Sequence, residues 1–275
     1  MSTPSPTPIG RSRRDPALHL APAITAPATV DVLGIPLANI DYAGTLDWID
    51  AVVSQRERRY VCVAATHTVM ACREDDELRD AVMGSDLTLP DGQPLVWAMN
   101  AFGAELPDRV YGPELMARAC ARAARTGTRM FLYGGRNQGA LVQLAYNLRT
   151  RYPGLQIVGG HAPPYRALRR DEEDAIAREI DRSRADVVWV GIGVPKQEKW
   201  MAAMRERVHA PVLVGVGAAF DFHAGLVPQA PTWMQDSGLE WLFRLASEPR
   251  RLGRRYLRYN PRFVTGFTRQ WVGHR

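Results

Sequence analysis

From Val30 onward, short β-branched apolar runs alternate with stretches in which apolar residues recur every three or four positions. The runs predict strands at 31–37 ("DVLGIPL"), 60–65 ("YVCVAA"), 86–89 ("DLTL"), 129–134 ("RMFLYG"), 155–159 ("LQIVG"), 186–192 ("DVVWVGI") and 211–216 ("PVLVGV"). The helical periods predict helices near 45–56, 68–82, 93–102, 113–126, 137–151, 171–183 and 196–208. Several strands are apolar throughout instead of alternating, as expected of a parallel sheet covered on both faces. The strand–helix alternation then calls for right-handed crossovers, with helices on both sides of the sheet. The pattern is that of an α/β chain.

Such sheets bind ligands beyond the carboxyl ends of their strands. The loops expected there read "ATHT" (65–68), "LPDGQP" (89–94), "YGGRNQG" (133–139), "GIGVPKQE" (191–198) and "GVGAAFDFHAG" (215–225). Each carries glycine, a polar group, or both. In "GIGVPKQE" two glycines follow a strand and Pro195 opens a helix, whose free N–H groups suit a phosphate. Gln197 and Glu198 then fall in the first turn, beside any bound group; tight packing of a strand–helix turn is the alternative. Asp91, at the end of "LTLPD", is placed to orient a hydroxyl or take its proton, although Asp-Gly is also a favoured turn pair. Arg109 precedes a helix start at Gly112–Pro113, where it either pairs with a diphosphate or is a surface arginine.

Several chemistries find no support. Neither glycine loop completes G-x-G-x-x-G, and no G-x-x-x-x-G-K-[ST] or G-x-S-x-G occurs. Asp221 and His223 lack a third ligand, so no zinc site is expected. The three cysteines, Cys62, Cys72 and Cys120, form no C-x-x-C pair and fit reduced thiols in the cytoplasm. No run reaches the roughly 18 apolar residues of a membrane span. Residues 1–29 are rich in Pro, Ser, Thr and Ala, and prolines interrupt their one apolar stretch. They read as a disordered leader instead of a signal peptide.

Charge changes the picture at the other end. The net charge is +6. From Ala230 onward nine arginines face three carboxylates, so this segment holds the whole excess and residues 1–229 balance. Lysine occurs only at Lys196 and Lys199, so the asymmetry, and not arginine itself, points to an anionic partner. Within 232–247, Leu239, Leu242, Phe243 and Ala246 form an apolar stripe widened by Trp241 and Leu245. Past Pro249, Leu252, Tyr256 and Tyr259 share a face beside Arg251, Arg254, Arg255 and Arg258. Apolar residues bordered by arginines describe a helix at a membrane interface. Packing on its own domain or between subunits is the alternative. Nucleic acid is a third reading, but no recognised binding motif accompanies the basic run.

Taken together, "DDELRDAVMGSDLTLPDGQPLVWA", "RVYGPELM", "GIGVPKQEKWM" and "GVGAAFDFHAGLVPQAPTWMQDSGLEWLFRLASEPRRLGRRYL" resemble the WecG/TagA/CpsF glycosyltransferases over residues 31–263. The resemblance implies a Rossmann-like catalytic domain at 30–229 and a basic, amphipathic helical appendage at 230–275 that docks on the inner face of the cell membrane. It implies inverting transfer from a UDP-sugar to a polyprenyl-pyrophosphate-linked saccharide, in making a cell-surface polysaccharide, with no metal or other cofactor. Asp91 matches the family's proposed general base, and Thr66, Thr68, Arg109 and Gln197 match the donor pocket, with Gly134, Gly193 and Gly217 in the glycine loops lining it. Arg250, Arg251, Arg254, Arg255 and Trp241 fall where the appendage meets the acceptor diphosphate or the membrane. Family members commonly read T-P-N or T-x-N where this chain has Thr66-His67-Thr68. That departure inclines the donor toward a hexose such as glucose over N-acetylmannosamine. A homo-oligomer is compatible with the resemblance. Two rivals are a non-catalytic nucleotide- or nucleic-acid-binding module and an assembly protein with a buried Trp241.

Overall fold

The computed structural model describes residues 24–231, 233–234 and 240–274. The proposed leader up to residue 23 and Leu239 of the predicted stripe lie outside the described residues.

The run predicted as one strand at 31–37 is a hairpin. Strands β1 (Thr29–Val32) and β2 (Ile35–Ala38) pair antiparallel, with Val32 opposite Ile35. Leu33 and Gly34 between them both adopt positive φ, 58° and 87°, the backbone of a two-residue turn matched to strand twist. The Asp31 carboxylate accepts the Gly34 N–H at 3.0 Å and fastens the turn.

The remaining strands are β3 (Arg59–Ala64), β4 (Leu87–Pro90), β5 (Arg129–Gly134), β6 (Gln156–His161), β7 (Val187–Gly191) and β8 (Val212–Gly215). They form one sheet in the order β4-β3-β8-β7-β5-β6, every neighbouring pair parallel. Along β3 and β5, successive residues enter opposite layers. Tyr60, Cys62, Phe131 and Tyr133 join one apolar cluster, and Val61, Val63, Met130 and Leu132 join the other. This two-sided burial is why these strands are apolar throughout. Each buried Val, Leu or Ile contributes about 1.5–3 kcal/mol relative to exposure.

Helices cover both faces. α1 (Tyr42–Gln55), α5 (Gly112–Thr126) and α6 (Gln138–Arg151) enclose the second cluster. α2 (Thr66–Ala71), α3 (Asp76–Met83), α4 (Gln93–Ala101), α7 (Arg170–Ser183) and α8 (Lys196–Met204) enclose the first. α9 (Ala219–His223) follows β8. The single helix expected at 68–82 is divided between α2 and α3. Asp75 accepts the Leu78 N–H at 3.0 Å as an N-cap and restarts the chain in a new direction.

Two further helices end the chain, α10 (Glu240–Ser247) and α11 (Pro249–His274). α11 does not hang free. Leu252 and Phe263 are buried, and Tyr259 and Phe267 pack against the first cluster. Near the far end, Gln270 accepts the Leu33 N–H at 2.9 Å and donates to the Asp31 carbonyl at 3.0 Å, so the hairpin holds the helix. Arg258 and Arg262 both pair with Glu74 in the α2–α3 break.

Beyond the sheet, β5 leads outward to β6 whereas β7 leads the other way to β8. Their loops therefore part at a topological switch point. The two loops still touch there. Gly135 donates to the Gly191 carbonyl at 3.1 Å, and a Cβ on Gly134 would stand 2.5 Å from that oxygen. Gly134 has φ 134° as well, so no other residue fits this position without strain.

Candidate active site

Asp91 is the first residue after β4. Its N–H donates to the Ala64 carbonyl at 2.8 Å, which carries the β3–β4 ladder one residue past the strand. Val110 donates to the Pro90 carbonyl at 2.8 Å, so residues 109–112 run alongside the same strand end. Gly112, the first residue of α5, then points its N–H at the Asp91 carboxylate, Oδ1 at 3.0 Å. Thr66 stands close on the other side, its Oγ1 3.8 Å from where a Cβ on Gly92 would be. Burial raises the pKa of the Asp91 carboxyl. Arg109, the Gly112 N–H and Arg244 pull it down, and Glu240 adds to the rise. The net displacement is upward, which makes the ionised form a stronger proton acceptor than an exposed aspartate.

Arg109 is committed to Glu240. The two side chains are 11% and 6% exposed and form an ion pair that ties α10 to the end of β4. Burial disfavours the arginine's charge, but Glu240 and Asp91 outweigh it and raise its pKa. The guanidinium also lies 4.4 Å from the centre of the Tyr111 ring. The Tyr111 phenol is pushed well up, first by burial and then by Glu240, so it stays protonated. Its neighbours make this a dry, charged corner. Arg244, on the next turn of α10, lies over Phe222 of α9, 5.5 Å from the ring centre.

The residues singled out from the sequence divide between the open edge and the interior. Thr66 is half-buried at the start of α2, near Gly92. Thr68 is buried inside α2, and its Oγ1 has no hydrogen-bond partner among the described residues. Gln197 and Glu198, expected beside the ligand, are both buried. Gln197 accepts the Gly217 N–H at 3.0 Å and donates to Glu198 at 2.7 Å. Gly193 has nothing within 4 Å of a notional Cβ and leaves its turn open, whereas Gly134 is wedged against Gly191. Asp221 and His223 are engaged elsewhere, with Arg136 and the Pro113 carbonyl. Among the described residues, no group of three metal-ligating side chains comes together.

The C-terminal arginines also divide. Arg255 reaches His67 beside Thr66, its Nη1 3.4 Å from Nε2, so α11 crosses close to the loop after β3. Arg250 and Arg254 are exposed, and the Arg251 side chain lies outside the described ones. Trp241 is 43% exposed and meets Tyr256 edge-on at 6.1 Å. Glu240, Tyr111 and Arg244 escaped the sequence reading as site residues. For Glu240 the only signal is its position beside Trp241 in "LEW"; nothing local announces a partner so far away in the chain.

A parallel α/β sheet with helices on both faces places the chain in the doubly wound class, with a half-buried carboxylate near arginines at its carboxyl edge. The comparison with known families narrows this. The model of the Glycosyl transferase WecG/TagA/CpsF family matches residues 30–275, and the chain belongs to that family. It is a glycosyltransferase. It is also similar to N-acetylglucosaminyldiphosphoundecaprenol N-acetyl-beta-D-mannosaminyltransferase of Bacillus subtilis (strain 168), with 26% identity over 222 residues, 80% of this chain and 84% of that protein. The Asp91, "PKQE" and "LEWLF" segments all lie inside the matched family region.

The Arg109–Glu240 pair yields a stability prediction. Glu240→Ala leaves a buried guanidinium without its carboxylate, which costs about 3–5 kcal/mol. Urea unfolding of the full chain measures it; a loss under about 1 kcal/mol, the range of exposed pairs, contradicts the buried assignment.

Proposed function

We propose that the protein is an inverting transferase that moves a sugar from a UDP-sugar to a saccharide carried on a polyprenyl diphosphate, at the inner face of the cell membrane. Asp91 is the general base. It takes the proton of the acceptor hydroxyl as that oxygen bonds to the anomeric carbon, and the bond from that carbon to the UDP oxygen breaks on the opposite side. The departing diphosphate gains charge, and in this reading Arg244 and the N–H groups of the open turn at Gly193 offset it, with Arg109 contributing its field from within the Glu240 pair. The observation that carries this reading is the half-buried Asp91 carboxylate, which accepts the Gly112 N–H and lies within the field of Arg109 and Arg244. A lipid diphosphate acceptor is supported by the name of the Bacillus relative, which places its acceptor sugar on diphosphoundecaprenol.

A lipid-borne acceptor brings the enzyme to a surface, and α11 has a face suited to one. Its packed side uses Leu252, Tyr259 and Phe263. On the outward side Leu257 is 81% exposed and Val264, one heptad later, is also exposed. Arg250, Arg254 and Arg269 are exposed along the same helix. Each arginine near an anionic leaflet contributes about 1 kcal/mol, enough for reversible docking. No helix among the described residues is long and apolar enough to cross a membrane. Deleting 230–275 is a poor test of docking, because it also removes Leu252 and Phe263 from the core.

Two experiments test the proposal. Wild-type protein incubated with a panel of UDP-sugars and a prenyl-diphosphate saccharide should yield one lipid product heavier by a single sugar, read by mass analysis. Asp91→Asn should lower that turnover by at least about a hundredfold. Its stability should hold or rise at neutral pH. Because burial raises the carboxyl's pKa, the folded state keeps the proton longer than the unfolded chain, and ionisation above the folded pKa costs stability that asparagine escapes. Near-wild-type turnover of Asp91→Asn removes it from the base role. Separately, Leu257→Asp combined with Val264→Asp should abolish binding to phosphatidylglycerol vesicles without lowering the melting temperature. Undiminished vesicle binding contradicts docking through this face.

A further inference from the structure

Glu198 is fully buried in the first turn of α8, and no arginine, lysine or histidine bonds to it among the described residues. Burial pushes its carboxyl up to about 7, and Oε2 has no hydrogen-bond partner among the described residues. A methionine would fill similar space without the cost of desolvating a carboxyl group. Core packing therefore does not account for the residue.

Its one side-chain hydrogen bond leads toward the active site. Oε1 accepts from Gln197 Nε2 at 2.7 Å. An amide has one donor end and one acceptor end, so fixing Nε2 on Glu198 turns the Gln197 oxygen toward Gly217, whose N–H it accepts at 3.0 Å. Gln197 is also pressed against the end of β8: a Cβ on Gly215 would stand 3.1 Å from Nε2. Val216, between these glycines, abuts the start of α5, where a Cβ on Gly112 would be 3.3 Å from the Val216 carbonyl. Gly112 in turn holds the Asp91 carboxylate at 3.0 Å.

We infer that Glu198 is a positioning residue for sugar transfer: by orienting the Gln197 amide it pins the Val216–Gly217 turn, against which the Gly112 N–H that holds Asp91 is seated. The inference rests on the reading of Asp91 as the base. It assigns Gln197 a place behind the donor pocket, transmitting the position of one loop to another. The chain of contacts runs from α8 through the loop after β8 to the first residue of α5, and each member is buried or half-buried.

The test is steady-state transfer by full-length Glu198→Met, Glu198→Gln, the double variant Gln197→Ala/Glu198→Met and Asp91→Asn, each first shown to be folded by thermal unfolding. Small displacements of catalytic groups cost up to about a hundredfold in rate, so a base loosened through this chain of contacts should cost about tenfold. Glu198→Met should lose that factor in kcat, with the donor KM within about twofold of wild type. Glu198→Gln keeps a carbonyl oxygen for Gln197 and should restore kcat to within about twofold. The double variant should be no slower than Glu198→Met, because both substitutions break one chain. If Glu198→Met does not fold, Glu198→Asp, whose shorter side chain withdraws the carboxyl from Gln197, should show the same loss. Wild-type kcat in the folded Met or Asp variant, equal damage in Glu198→Gln, or additive losses in the double variant overturn the inference. An inactive Asp91→Asn beside a fully active Glu198→Met refutes the positioning role alone; an active Asp91→Asn refutes the base assignment and this inference with it.

Discussion

The site depends on one hydrogen bond, from the Gly112 amide to the Asp91 carboxylate. It joins the end of β4 to the start of α5, two places that the chain reaches 21 residues apart. A carboxylate at a strand end has little to fix its rotamer. The amide supplies a direction, and the surrounding burial supplies a raised pKa. The base role proposed for Asp91 needs both. Orientation without burial leaves a weak acceptor, and burial without orientation leaves the proton path undefined.

The C-terminal helices take part in that balance. α10 delivers Glu240 to Arg109 and Arg244 to the edge of Phe222, so charges from the last fifth of the chain act on Asp91. α11 continues across α2 and is held at its far end by the hairpin through Gln270. One helix thereby presents two apolar faces. The inner one, with Leu252 and Phe263, belongs to the core. The outer one, with Leu257 and Val264, is left to solvent. The sequence alternatives of an interfacial helix and a helix packed on its own domain are compatible, because a helix long enough for both has room on its circumference for two stripes and an arginine arc.

Much of the sheet was legible because strands buried on both faces must be apolar throughout, as in "YVCVAA" and "DVVWVGI". The hairpin was not, since Leu33-Gly34 lies inside an apolar run and lacks an Asn-Gly or Asp-Gly signal. The α2–α3 break was hidden among helix-compatible residues, with only Asp75 to mark a new start. The place of Asp91 at the carboxyl end of a strand was legible, because the apolar run "LTLP" stops there at an Asp-Gly pair. Glu240 was not, because its partner lies 131 residues away and neither residue is unusual locally. Gln197 and Glu198 were visible as a motif, with ligand contact and tight turn packing both open; their burial and their bonds to each other and to Gly217 show the packing, which depends on a loop distant in sequence.

The most direct measurement of the central claim is the pH dependence of kcat/KM for sugar transfer, taken on wild type and on Glu198→Gln. An acidic limb should appear in both, with an apparent pKa above the value of about 3.9 for an unperturbed aspartate, because proton abstraction requires the ionised form of a carboxyl that burial has raised. A rate indifferent to pH through that range, or a limb that disappears with Glu198→Gln, would place the essential ionisation on a group other than Asp91.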